Sequence, residues 1–137
     1  SIMLGLADIR DWLKTLDNKA DNYYIGKLDN KKDKSIGIYQ LKNSMPPRVC
    51  LGGLENTSYE IKPISILIHW NINARETEEF SFKLYKEILN QKSVVINGHH
   101  IKYLQLLNNE PIDVGTDDKN IYERVIELNF YYERKDE

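Results

Sequence analysis

At 137 residues the chain has room for one domain with a hydrophobic core that needs neither metals nor disulfides to hold it. A formal charge of -2 and a pI near 5.9, with 29% charged residues, exclude a surface built to wrap nucleic acid. Cys50 is the single cysteine, which rules out an internal disulfide and fits a reducing compartment or simple indifference to redox state, and the acids within the N-terminal "SIMLGLADIRDWLKTLDNK" are unlike a signal peptide or membrane span.

In "IMLGLADIRDWLKTL" the apolar Leu6, Ile9, Trp12, Leu13 and Leu16 recur at three and four, while Asp8, Arg10, Asp11 and Lys14 fill the other side. This spacing predicts one amphipathic helix over about 3–17. "NYYIGKLDNKKDKSIGIYQLK" then sets two Tyr/Ile-rich runs on either side of a charged tip, a pattern that predicts two antiparallel strands joined by a protruding hairpin. The tip gathers Lys27, Lys31, Lys32 and Lys34, the densest basic spot in the chain; hairpin tips are also charged simply because they are wet.

Residues 42–58, "KNSMPPRVCLGGLENTS", carry paired prolines and paired glycines without sustained period, and read as a long excursion holding one short strand near Val49 to Leu51. In "YEIKPISILIHWNI" the centre Ile64, Ile66, Leu67, Ile68 is apolar at successive positions, as in a central strand covered on both sides, with Pro63 near its start. Asn73, with Glu76 three residues on, has capping-box spacing and precedes the stripe Phe80, Leu84, Ile88, Leu89, which predicts a second helix over about 74–90. Asn97-Gly98 between β-rich runs predicts a tight hairpin. "NNEPIDVGTDDKN" reads as a loop. From Ile121 the side chains alternate: Tyr122, Arg124, Ile126, Leu128, Phe130 and Tyr132 point one way, and Glu123, Val125, Glu127, Asn129 and Glu133 the other. The period of two marks a half-buried strand, long enough that its own sheet is not expected to use all of it. Grouped strands with two helices and no βα alternation predict a single α+β domain over residues 1–137 with a mainly antiparallel sheet.

No set of residues assembles a catalytic or metal site, and no cofactor is expected. His99 and His100 are adjacent, so on a strand their rings face opposite sides and cannot close on one metal. His69 has no partner by spacing, and all three histidines read as structural. Asp113, Asp117 and Asp118 lack the register of a calcium loop and read as turn formers. Gly52-Gly53 lacks the further glycine, lysine and strand-to-helix setting of a phosphate loop, and Cys50 has no motif naming a base. Glu78-Glu79 sit in the first turns of a helix, where negative charge is favoured anyway. Tyrosines at 23, 24, 39, 59, 103, 122, 131 and 132 fall on the expected strands, where they serve packing as readily as an interface.

Three segments carry a family likeness: the helix "LADIRDWL", the early strand pair "YYIGKLDNKKDKSIGIYQLK" and the ending "EPIDVGTDDKNIYERVIELNFYYER", a proline-containing stretch, a Gly and acid turn, then a long strand with Asn129 and Phe130 near its middle. Over nearly its whole length the chain resembles the minor capsid and tail-terminator (head-tail joining) proteins of long-tailed bacteriophages and prophages of Gram-positive bacteria. The resemblance implies a non-enzymatic part of the virion neck, assembled in the host cytoplasm. Copies would form a ring, a hexamer, on the last ring of the tail tube protein, stop tube growth and face the head connector protein, with no membrane involved and with DNA only passing through the lumen. Candidate assembly contacts are Lys31, Lys32, Lys34 and Arg48 on the two arms, and Val125, Glu127, Asn129 and Tyr131 on the final strand. The alternative is a monomeric ligand-binding or accessory enzyme domain with a cleft near residues 42–58, where Cys50 or His69 would act.

Overall fold

The computed structural model describes residues 3–29, 32–42 and 59–133. Two helices, α1 (Leu6–Thr15) and α2 (Ala74–Leu89), lie over a sheet whose strands are β1 (Asn22–Ile25), β2 (Ser35–Gln40), β3 (Tyr59–His69), β4 (Val95–Ile96), β5 (His99–Leu106), β6 (Ile112–Thr116) and β7 (Tyr122–Glu133). The sheet order is β1-β2-β3-β7-β5-β4, with β6 pairing β7 beside β5. All of these pairings except β1 with β2 are antiparallel, so the fold is the expected α+β class with a mainly antiparallel sheet.

Both helices form where their ends and stripes direct. The Asp8 carboxylate accepts from Gly5 N at 2.9 Å at the start of α1, and Asn18 Nδ2 donates to the Leu13 carbonyl at 2.8 Å at its end. Asn73 Oδ1 accepts from Glu76 N at 3.1 Å and caps α2. Ile9, Trp12 and Leu13 of α1 and Leu84 and Ile88 of α2 meet Ile36, Ile38, Ile64, Ile66, Ile68, Ile126, Leu128 and Phe130 in one core. Thr77 and Ser81 are tolerated as buried residues of α2 because each hydroxyl donates to the carbonyl four residues back. Leu89, expected on that stripe, is 60% exposed.

Four expectations are corrected. β1 and β2 are parallel, with Tyr23 opposite Ile36 and Ile25 opposite Ile38, rather than an antiparallel hairpin. Gly26, at φ +71, ends β1, and the chain returns to the foot of the sheet, where the Lys34 carbonyl accepts from Asp21 N at 2.8 Å. Part of the expected acidic loop is strand β6. β7 does not outrun its sheet: β3 pairs it from Glu133 to Glu123 on one side, while β5 and β6 share the other. Nor, among the described residues, do the helices cover β3 on both sides, since α1 and α2 bury their stripes in the same core against Ile64, Ile66 and Ile68. The short strand expected near Val49 to Leu51 lies outside the described residues.

Candidate functional site

The alternation that sends Ile64, Ile66 and Ile68 of β3 and Ile126, Leu128 and Phe130 of β7 into the core turns Ser65, Leu67 and His69, and Glu123, Val125, Glu127, Asn129 and Tyr131, to the opposite face. Among the described residues neither helix covers that face. It runs from a tyrosine cluster at one end, through Val125 and Glu127, to a buried histidine at the other.

At the first end Tyr131 lies between Tyr59, at 5.6 Å between ring centroids, and Tyr103, at 5.3 Å. Tyr103 remains 56% exposed, and Lys102 Nζ stands 6.0 Å from the Tyr59 ring. Asn129 Nδ2 and the Tyr131 hydroxyl both donate to Gln105 Oε1, at 3.0 and 3.1 Å, so β5 fixes the direction of both side chains. In the middle, Val125 pairs with Leu67 on one side and Ile112 on the other. Glu127 Oε1 accepts from Asn108 Nδ2 at 3.1 Å.

At the second end His69 is fully buried. Its Nδ1 lies 2.9 Å from Glu123 Oε2, its register partner across the β3·β7 ladder, and its Nε2 faces Asp117 Oδ2 at 3.7 Å. Asp117 closes the turn between β6 and β7: its Oδ1 accepts from Lys119 N at 2.8 Å and Ile121 N at 2.9 Å. Burial pushes the Asp117 carboxyl up, but the N–H groups of Ile121 and Lys119, together with His69 and the Lys119 charge, outweigh it and hold the group below the usual carboxylate range. Tyr39 folds back over Gly37, so that a Cβ placed at Gly37 would stand 2.7 Å from the ring and 3.3 Å from Leu28 Cδ1. Burial and the nearby Glu123 carboxylate raise the Tyr39 phenol above its ordinary value against the pull of the Leu28 backbone.

The structure therefore brings Val125, Glu127, Asn129 and Tyr131 together on one face. Lys32 is exposed, whereas Lys34 is pinned rather than at a free tip: its N donates to the Trp70 carbonyl at 2.7 Å and its Nζ lies 5.8 Å from the Trp70 ring centroid. Lys31, Arg48, Cys50 and the cleft expected near residues 42–58 lie outside the described residues, apart from Lys42. His69, left without a partner by sequence spacing, has two, and Gly37 and Gln105 were not singled out by the sequence pattern. Among the described residues no group of three or more His, Cys, Asp or Glu side chains is placed to hold a metal ion, and no helix is long and apolar enough to cross a membrane. A pocket of about 240 Å³ lies at the end of α2, between Leu89, Lys92 and Val94 and the β5 residues Lys102 and Leu104.

A family model described as "Bacteriophage tail terminator protein" matches residues 3–134, which include both helices and all seven strands of the described residues. The chain belongs to the bacteriophage tail terminator family. Comparison with curated proteins gave no match, and neither did comparison with solved structures. Membership makes the chain a structural protein of the phage tail and a component of the virion that works in contact with other tail or head proteins.

Proposed function

We propose that the chain is a ring-forming tail terminator: copies associate head to tail, as a hexamer, on the last ring of the tail tube, end its growth and present the far side of the ring to the head connector. Membership of the tail terminator family is the observation that carries this reading. The ring would be built in the bacterial host cytoplasm, and the chain would act without catalysis. A ring follows physically when each copy uses two different surfaces and the rotation between copies closes. The helix-free face supplies one such surface, with the half-buried Val125, Glu127 and Tyr131 available for contact and Asn129 held beneath them by Gln105. Because both edges of β7 are already paired, this strand takes part through its side chains and not by adding its backbone to a neighbour. Lys31, Lys32, Lys34 and Arg48 are proposed as further contacts. Carboxylates such as Glu127, where they face the lumen, would repel passing DNA rather than grip it.

Sedimentation across a wide concentration range, with and without polymerised tail tube, tests the reading. A discrete ring, alone or only on tubes, is expected. Val125→Glu and Tyr131→Glu should disturb that assembly while circular dichroism of the monomer stays unchanged. A strict monomer that ignores tubes at every concentration would overturn it.

A further inference from the structure

Among the described residues two edge strands of the sheet, β1 and β6, lie at the same height, apart from the edge formed by β4 and β5. Following the ladders sideways, Tyr23 lies in one row with Ile36, Ile68, Arg124 and Asp113, and Tyr24 in the next with Gly37, Leu67, Val125 and Ile112. The edge strands β1 and β6 thus cap the same rows from opposite sides, with four and five residues. Their directions also suit one another. β1 runs with β2, β3 runs against both, β7 against β3, and β6 against β7, so β1 and β6 are antiparallel across the sheet. Two copies in the same orientation would therefore meet edge to edge as an antiparallel pair, the better of the two ladder geometries.

Each edge also exposes an apolar side chain, Ile25 at 39% on β1 and Val114 at 49% on β6. The segments that adjoin the edges carry opposite charge. Residues 26–34, which follow β1, hold Lys27, Lys31, Lys32 and Lys34 against Asp29 and Asp33. Residues 107–121, which hold β6, contain Glu110, Asp113, Asp117 and Asp118 against Lys119. In an antiparallel meeting that keeps these rows Gly26, just past the end of β1, comes level with Glu110, just before the start of β6, which sets Lys27 one residue from that carboxylate. A register shift between Asp113 and Thr116, with Gly115 at φ +88, interrupts the β6 edge. Such a bulge blunts indiscriminate strand addition and leaves Ile112 and Asp113 as the regular part, opposite the rows of Tyr24 and Tyr23.

We propose that a second copy of this chain occupies each edge, β1 of one copy lying against β6 of the next, with Lys27 next to Glu110 of its neighbour. This deepens the ring reading above and rests on it: a head-to-tail contact between two different edges, repeated with a closing rotation, pairs both β1 and β6 in every copy.

The test uses the full chain in the sedimentation assay. Lys27→Glu and Glu110→Lys should each shift assembly to higher concentration, and the double charge swap should shift it back, all more strongly at low salt. Independently, Tyr24→Cys mixed with Ile112→Cys, both with Cys50→Ser, should be linked copy to copy by a short bismaleimide, and neither variant alone should be. Wild-type rings that form no such link, and whose assembly ignores both charge changes, would overturn the edge assignment and leave the ring standing. If the charge variants and the cross-link disagree, the cross-link decides. A chain that never assembles, alone or on tubes, would sink the ring and the edge assignment with it.

Discussion

A buried imidazole between two carboxylates is costly unless its neighbours are held in place, and at His69 they are. Glu123 is fixed by the β3·β7 ladder and Asp117 by the N–H groups of its own turn. His69→Ala should lower unfolding free energy by about 2–4 kcal/mol in urea titration, since it opens a cavity and strips two half-buried carboxylates of their shared partner. A loss no larger than that of an exposed histidine such as His100 would contradict this. Asp117 also sets a pH dependence. Its folded pKa lies below the ordinary value of 3.8, so the unfolded chain binds more protons in that range. The stabilisation is therefore fully present above the unfolded value and lost as pH falls through the folded one. Asp117→Asn, which keeps an acceptor for the two N–H groups, should flatten the acid limb of a stability-against-pH curve below about pH 4. Gly37 is a second constrained residue: a Cβ there meets the Tyr39 ring at 2.7 Å. Gly37→Ala should cost about 1–3 kcal/mol in a wild-type background and clearly less with Tyr39→Ala, a difference that a double-mutant cycle measures.

Elements whose signals are local were legible in the sequence. Asn73 caps α2 as its spacing predicts, and Asn97-Gly98 turns β4 into β5 at φ +48 and +80. Gly98→Val should therefore destabilise the chain by about 1 kcal/mol or more in thermal unfolding, because a β-branched residue resists positive φ. An unchanged melting temperature would show that the turn relaxes to another type. Elements set by distant partners were not legible. Alternation identified β1 and β2 as strands, but period two carries no information on direction, and only the Lys34 contacts with Trp70 and Asp21 reveal the parallel return. β6 was hidden because its Asp113 and Gly115 are turn residues by composition, and it becomes a strand only against β7. The site divides in the same way. The shared face of Val125, Glu127, Asn129 and Tyr131 follows from alternation alone, whereas His69 meets a carboxylate 54 residues away.

At the scale of the molecule, stability is graded across the sheet. β3 and β7 are paired with each other over eleven residues, and each has a further strand on its other side, so exposing their amides requires breaking the whole ladder. β1 and β6 each have one neighbour among the described residues and short ladders. Hydrogen exchange of the monomer should accordingly be slowest at Ile64 to Ile68 and Val125 to Phe130, near the global unfolding limit, and fastest among the strands at Tyr23 to Ile25 and Asp113 to Thr116. The same gradient gives assembly a direct reading. A contact made through the edges would slow exchange at β1 and β6, which have unpaired backbone to lose, and leave β3 and β7 unchanged because they are already at the limit. A contact made only through the helix-free face would bury side chains such as Val125 and Tyr131 while β1 and β6 continued to exchange as in the monomer. Comparing exchange before and after the ring forms therefore separates the two surfaces, and unchanged protection at both edge strands would confine assembly to the face.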